Sequence, residues 1–361
     1  MWCAVSVQDR LKRFWRGHPV VETESVVPSK PGRVRGAVDH VIILDGTMSS
    51  LDAGRETNAG LIFRLLTESG QSAQRTIYYE QGLQWEGWKR MINVAQGRGL
   101  SRQIRRAYGW LASRYRPGDR IFLIGYSRGA YAVRSLAGVI DLVGLVRREH
   151  ATERGVLLAW RHYRLNPGGT AAQAFRRRFC HPDAPIEMVG VFDTVKALGL
   201  RLPLLWMLTD KRNAFHNPHL GPGVRHGFHA LARDETRAVY EPVLWQSPKT
   251  WSGNVEQVWF RGAHADIGGQ IGDGLASRPL SNIPLVWMLD RAETLRLVLP
   301  AGWRDRFPCD ATAPMIGTWS GFGKCFLYRR RRTIGADPSE RLHSSVPATT
   351  PRWRFALPSR R

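Results

Sequence analysis

The stretch IFLIGYSRGAYAVRSLAGVI, Ile121 to Ile140, constrains this chain more than any other. At its centre, Gly125 to Gly129 has the form G-x-S-x-G. A chain with 36 glycines in 361 residues produces that form by chance, so its surroundings decide. Arg120 to Ile124 is a short apolar run behind the turn signal Pro117-Gly118-Asp119, the pattern of a buried strand. After the serine, Ala130, Val133, Ala137 and Ile140 recur at helical spacing. The order strand, tight turn, helix lifts Ser127 above a sheet edge and onto a helix N-terminus. The flanking glycines carry no Cβ to crowd such a turn. Ser127 is therefore a candidate nucleophile. The competing reading is a βα turn with a solvent-facing serine.

The rest of the chain supplies a scaffold of the same kind. Buried-strand patterns stand at His40 to Asp45, Arg75 to Tyr79, Ile186 to Phe192 and Val255 to Phe260. Helical patterns lie between them at Asn58 to Leu66, Leu100 to Tyr115 and Val156 to Phe179, the last interrupted at Asn166-Pro-Gly-Gly169. Strands alternating with helices predict an α/β fold, a mostly parallel sheet with helices on both faces. The expected organisation is a basic, Pro-containing arm over residues 1–37, a catalytic domain over 38–333, and a polar Pro-containing tail over 334–361 that wraps the surface. In the arm, Leu11, Phe14 and Trp15 among Arg10, Lys12, Arg13 and Arg16 form a short amphipathic turn suited to a membrane surface, to docking on the domain, or to disorder.

In open α/β sheets functional residues sit just past the carboxyl ends of strands. Ser127 follows IFLIG, Asp193 follows MVGVF, and His264 lies directly after EQVWF in RGAHADIGG. The chain order Ser, Asp, His is that of an α/β-hydrolase. A serine hydroxyl needs a base to take its proton, and the base needs an acid to set its tautomer. His226 and His229 compete with His264, but VRHGFHALARDETR reads as a helix, which makes them packing or hydrogen-bonding residues. Asp266 competes with Asp193, but it stands so close to His264 that ordering the histidine loop is its expected task. The oxyanion hole is expected from the backbone N–H of Arg128 and that of Gly46 or Thr47. Asp45 is expected to cap its loop or pair with Arg134. It has no partners at metal-ligand spacing, so neither a metal nor a cofactor is expected.

The formal charge of +23 implies attraction to polyanions, either through a functional basic face or as the surface habit of an arginine-rich proteome. Basic runs include Arg102 to Arg106, Arg176 to Arg178 and Arg329 to Arg332. No nucleic-acid module accompanies them, so a nucleic-acid partner is not expected. Cys3, Cys180, Cys309 and Cys325 show no zinc spacing. A reduced set is expected, with a Cys309–Cys325 disulfide left open. The N-terminus does not read as a secretory signal, and no apolar run is long enough to span a bilayer. Synthesis in the cytoplasm is expected, with export only by another machine.

The blocks ILDGT, TNAGLIFRLL, IYYEQGL, the whole run GRGLSRQIRRAYGWLASRYRPGDRIFLIGYSRGAYAVRSLAGVI, VGVFDTVKALG, FHALARDETRAVYEPVLW and VWFRGAHADIGG occur in this order. Together they resemble the bacterial type VI secretion phospholipase effector family, whose members have an α/β-hydrolase domain; the likeness covers about residues 38 to 295. It implies a Ser-Asp-His hydrolase cutting acyl esters of membrane glycerophospholipids, carried by Ser127, Asp193 and His264. It also implies a membrane surface as substrate, and a secretion-machinery or immunity protein as partner. Two positions depart from the family pattern, Gln270 where a third glycine is usual and Lys196 where a small residue is common. Gly199 to Leu208 suits an acyl site or an ordinary core helix. The alternatives are a small-molecule esterase or thioesterase of the same mechanism, and an inactive hydrolase scaffold that binds anionic surfaces or nucleic acid.

Overall fold

The computed structural model describes residues 20–23, 36–68, 74–82, 98–195, 220–247, 253–319, 326 and 328–347. Eight strands form one sheet: β1 (Val20–Thr23), β2 (Asp39–Leu44), β3 (Arg75–Glu80), β4 (Arg120–Tyr126), β5 (Ile186–Phe192), β6 (Val224–Ala232), β7 (Asn254–Phe260) and β8 (Glu340–Leu342). Their order is β1-β3-β2-β4-β5-β6-β7-β8. The β1–β3 pair is antiparallel and every other neighbouring pair is parallel. The helices are α1 (Asn58–Glu68), α2 (Arg98–Ala112), α3 (Arg128–Leu142), α4 (Glu153–Leu165), α5 (Thr170–Phe179), α6 (His264–Gly268) and α7 (Arg278–Thr294).

Continuous apolar runs such as VIIL and IFLI exist because both faces of the sheet are covered. Ile42, Leu44, Ile121 and Leu123 face a core completed by Tyr108 and Leu111 of α2 and Val133 and Leu136 of α3. The intervening Val41, Ile43, Phe122 and Ile124 face a second core with Ile62 and Phe63 of α1 and Leu285 and Met288 of α7. Each fully buried side chain of this size stabilises the fold by about 1.5–3 kcal/mol, before chain entropy is charged against it. The result is an α/β-hydrolase-like fold of three layers. β3 lies on one side of β2 and β4 on the other. That reversal opens a crevice beyond the strands' carboxyl ends, the usual place for a site in such sheets.

The structure corrects three expectations. VRHGFHALA is strand β6, not helix. Being buried on both faces, it shows no period-2 alternation, and Ala-Leu-Ala followed by charges mimics a helix. The catalytic domain expected over 38–333 does not bound the sheet. Val20–Thr23, inside the expected arm, pairs with β3 along the edge that β2 leaves. Glu340–Leu342, inside the expected surface tail, extends the sheet beside β7, and Trp259 Nε1 donates to Glu340 at 2.7 Å. Leu11, Phe14, Trp15, Lys196 and Gly199 to Leu208 lie outside the described residues. Cys309 is a free, exposed thiol. No helix among the described residues is long and apolar enough to cross a membrane.

Candidate active site

Ser127 follows β4 directly and precedes the first residue of α3, with φ 55° and ψ −117°. Such a backbone is strained for a residue with a side chain, and strain of this kind persists only where the surroundings enforce it. Here they do. Ser127 N–H donates to Phe192 O at 3.0 Å, and Tyr131 N–H donates to Ser127 O at 3.2 Å. A Cβ on Gly125 would lie 2.7 Å from Gly129 O, and one on Gly129 would lie 2.0 Å from Leu44 O. Both glycines are therefore required for α3 to start hard against β2 and β4.

The three strand-end residues meet. His264 Nδ1 lies 2.5 Å from Asp193 Oδ2, and His264 Nε2 lies 2.8 Å from Ser127 Oγ. A carboxylate only accepts, so Nδ1 carries the proton and Nε2 is free to take one from the serine. Asp193 is fully buried and also sits at a positive φ, 40°. Its Oδ1 accepts from Ala232 N–H at 3.0 Å. Burial alone would raise its carboxyl, but the Arg332 guanidinium and the His264 hydrogen bond outweigh burial and hold it well below the usual carboxylate range. Arg332 was not singled out from the sequence. It hides in the run Arg329 to Arg332, where it looks like surface charge.

His264 is held on all sides. Its ring lies between those of Tyr126 and Tyr240, at centroid separations of 5.0 and 4.6 Å. Its N–H donates to Glu235 Oε2 at 3.1 Å. Glu235 is gripped in turn by Arg237 through Nε at 2.9 Å and Nη2 at 2.7 Å. Glu235, Arg237 and Tyr240 also escaped sequence reasoning, although all three lie in the short polar segment just past β6, where the strand-end rule could have found them. Asp266 faces away from the imidazole. It accepts from Ala263 N–H and from Ile316 N–H, each at 2.8 Å, and so orders the histidine loop. His229 sits on β6 and accepts from Thr194 N–H at 3.1 Å, while burial pushes its imidazole down to about 3. It supports the turn that carries Asp193. His226 lies on the same strand and stacks on Phe228.

Of the two expectations for Asp45, it caps its loop through the Gly46 N–H and does not pair with Arg134. It accepts from Thr57 Oγ1 at 2.6 Å and Tyr79 OH at 2.7 Å, and burial pushes its carboxyl up to about 6. Arg134 instead donates to the Val243 and Leu244 carbonyls and lies over the Trp245 ring. The Gly46 N–H is also spoken for, donating to Asp45 Oδ1 at 2.6 Å. The Arg128 N–H at the start of α3 has no partner within the helix. Gln270 ties the histidine loop to this one, donating to Thr47 O at 2.9 Å and Met48 O at 3.1 Å.

The family described as type VI secretion system (T6SS), phospholipase effector Tle1-like, catalytic domain matches residues 39–291. The uncharacterized protein YEL023C of Saccharomyces cerevisiae is 28% identical over 231 residues, covering 57% of this chain and 32% of that protein. An uncharacterized protein from Pseudomonas aeruginosa is 18% identical at a TM-score of 0.42, covering 76% of this chain and 49% of that one. This chain thus spans about a third of the yeast protein and about half of the bacterial one. A Tle1 effector bound to the VgrG spike is 15% identical at a TM-score of 0.32, over 70% of this chain and 56% of that one. The matched family segment holds Ser127, Asp193 and His264 but stops short of Arg332. The chain belongs to the type VI secretion Tle1-like phospholipase effector catalytic-domain family, a family of hydrolases.

Proposed function

We propose that the protein is a serine hydrolase that cleaves acyl esters of membrane glycerophospholipids, a phospholipase of the A type. The observation that carries the reading is the continuous hydrogen-bonded chain from Asp193 through His264 to Ser127. Family membership supports the lipid substrate.

In this reading Ser127 Oγ attacks the ester carbonyl while its proton passes to His264 Nε2. Asp193 stabilises the imidazolium through Nδ1. The tetrahedral oxyanion is met by the N–H groups of Arg128 and Thr47, worth roughly 10²–10³ in rate per donor. His264 then protonates the departing lysolipid oxygen. Water, deprotonated by the same imidazole, attacks the acyl-enzyme and frees the fatty acid. The acyl ester is the scissile bond because the site offers a nucleophile, a base and an oxyanion hole, the set that acyl transfer requires.

The family also supports delivery by a type VI secretion machine, with a component of that machine as a partner. The experiment for the chemistry is labelling with a fluorophosphonate, followed by mass spectrometry of the modified peptide. The reading expects one adduct, on Ser127, absent from Ser127→Ala. An unlabelled wild-type protein, or labelling that survives in the variant, would overturn it.

A further inference from the structure

The acid of the proposed triad is ion-paired on its far side. Arg332 is buried and lays its guanidinium across Asp193, with Nη1 2.5 Å from Oδ1 and Nη2 2.9 Å from Oδ2. The same nitrogens donate to the carbonyls of Ala232, at 2.8 Å, and Tyr240. Oδ2 is thus shared between Arg332 and His264. The segment bearing Arg332 is pinned on both sides of it. Arg330 N–H donates to Thr236 O at 2.7 Å, and β8 pairs with β7. The pairing is bidentate, the geometry in which a guanidinium fits a carboxylate best.

A carboxylate with no exposed surface is forced toward its neutral form unless a cation compensates it. A protonated Asp193 could no longer stabilise an imidazolium. Arg332, in bidentate contact with the carboxylate, opposes this. We infer that Arg332 is a positioning residue for the reaction, keeping Asp193 ionised, and that it thereby sets the lowest pH at which Ser127 is activated. The inference rests on the serine-hydrolase reading above.

The other titratable and charged groups near the pair are ion-paired, hydrogen-bonded or kept neutral by burial. Glu235, on the His264 N–H, is neutralised by Arg237. His229, behind the Asp193 turn, is kept neutral by burial. Tyr126 and Tyr240, on the two faces of the imidazole, are raised by burial and stay neutral. Arg134 donates to the Val243 and Leu244 carbonyls, and Asp45 accepts from Thr57 and Tyr79. Arg332 is the cation in direct contact with the acid.

The test is the rate of fluorophosphonate labelling of Ser127 from pH 5 to 9, with kcat and KM on a soluble ester. The proteins are wild type, Arg332→Lys, Arg332→Gln, Asp193→Asn and the Asp193→Asn/Arg332→Gln double variant. Removing the charge should move the acid limb of Arg332→Gln up by about one pH unit, with labelling below the limb down about tenfold and recovering as pH rises. Arg332→Lys should keep the wild-type limb. KM should not change, because Arg332 does not reach the substrate. In the Asp193→Asn background, Arg332→Gln should leave the limb where it is. An equal loss at every pH in Arg332→Gln, or a displaced limb in Arg332→Lys, would overturn the inference. Should Arg332→Gln not fold, Arg332→Lys and the double variant, which removes both charges, still decide it. A wild-type protein that takes no label would instead refute the serine-hydrolase reading.

Discussion

Gly129→Ala should damage the reaction through the backbone alone. The Cβ it adds would stand 2.0 Å from Leu44 O and 2.5 Å from Asp45 O. A carbon and a carbonyl oxygen settle at about 3.3 Å, so the start of α3 and the end of β2 must part by about 1.3 Å. Arg128, whose N–H is one proposed oxyanion donor, is the residue before. Thr47, which offers the other, follows two residues after Asp45. Parting the helix from the strand therefore widens the oxyanion hole directly. A donor that must lie within about 2.7–3.1 Å of the oxyanion is lost by a shift of that size, at a cost of roughly 10²–10³ in kcat. Overpacking should also cost about 1–3 kcal/mol of stability. The assay is kcat and KM on a soluble ester, with a thermal melt alongside. Gly168→Ala is the control, since a Cβ there meets nothing within 4 Å. Turnover by Gly129→Ala within twofold of wild type would refute both the close approach and the donor assignment.

Asp193→Asn should lower kcat by about 10⁴, as an amide in place of the triad carboxylate favours the wrong histidine tautomer, whereas Asp266→Asn should cost less. The reverse ranking in steady-state kinetics would make Asp266 the acid. Burial pushes Asp45 from 3.8 to about 6, so the folded protein binds this proton more tightly than the unfolded chain does. Its contribution to stability is therefore full below pH 3.8 and is lost as pH rises through about 6, by about 3 kcal/mol. Asp45→Asn, which cannot ionise, should gain thermal stability relative to wild type between pH 4 and pH 8, and a constant difference across that range would exclude this role. If the basic surface recruits substrate, hydrolysis should be faster on anionic than on neutral vesicles, at about 1 kcal/mol per engaged Lys or Arg. That preference should fade toward 1 M salt, and equal rates at low salt would show that the net charge of +23 has no part in docking.

The strands that place the site were legible because each is a continuous apolar run ending in a chemically distinctive residue. Ile121 to Ile124, Ile186 to Phe192 and Val255 to Phe260 all occur as strands, and they bring Ser127, Asp193 and His264 into contact. The same logic failed on β6, where burial on both faces erased the alternation and His226 to Ala232 took on a helical composition. The edge strands β1 and β8 are too short for periodicity to mark, and pairing with an open edge decides them. Burial also redistributes the charge. Arg75, Arg106, Arg134, Arg233 and Arg332 are buried, so part of the basic composition is internal structure. Arg332 meets Asp193 across 139 positions of chain, and no local signal separates it from the three arginines before it. Which of Gly46 and Thr47 turns its N–H toward the site is not legible either, since a sequence shows that a loop carries donors and not which way each one points.

The central claim is that Ser127 cuts the acyl ester of a membrane glycerophospholipid. Its most direct test is mass spectrometry of the products that the purified protein releases from vesicles of a single defined glycerophospholipid, run beside Ser127→Ala. The products expected are a free fatty acid and the matching lysophospholipid, with neither above background in the variant. Release of the head group with both acyl chains retained, or equal release of fatty acid by the variant, would contradict it.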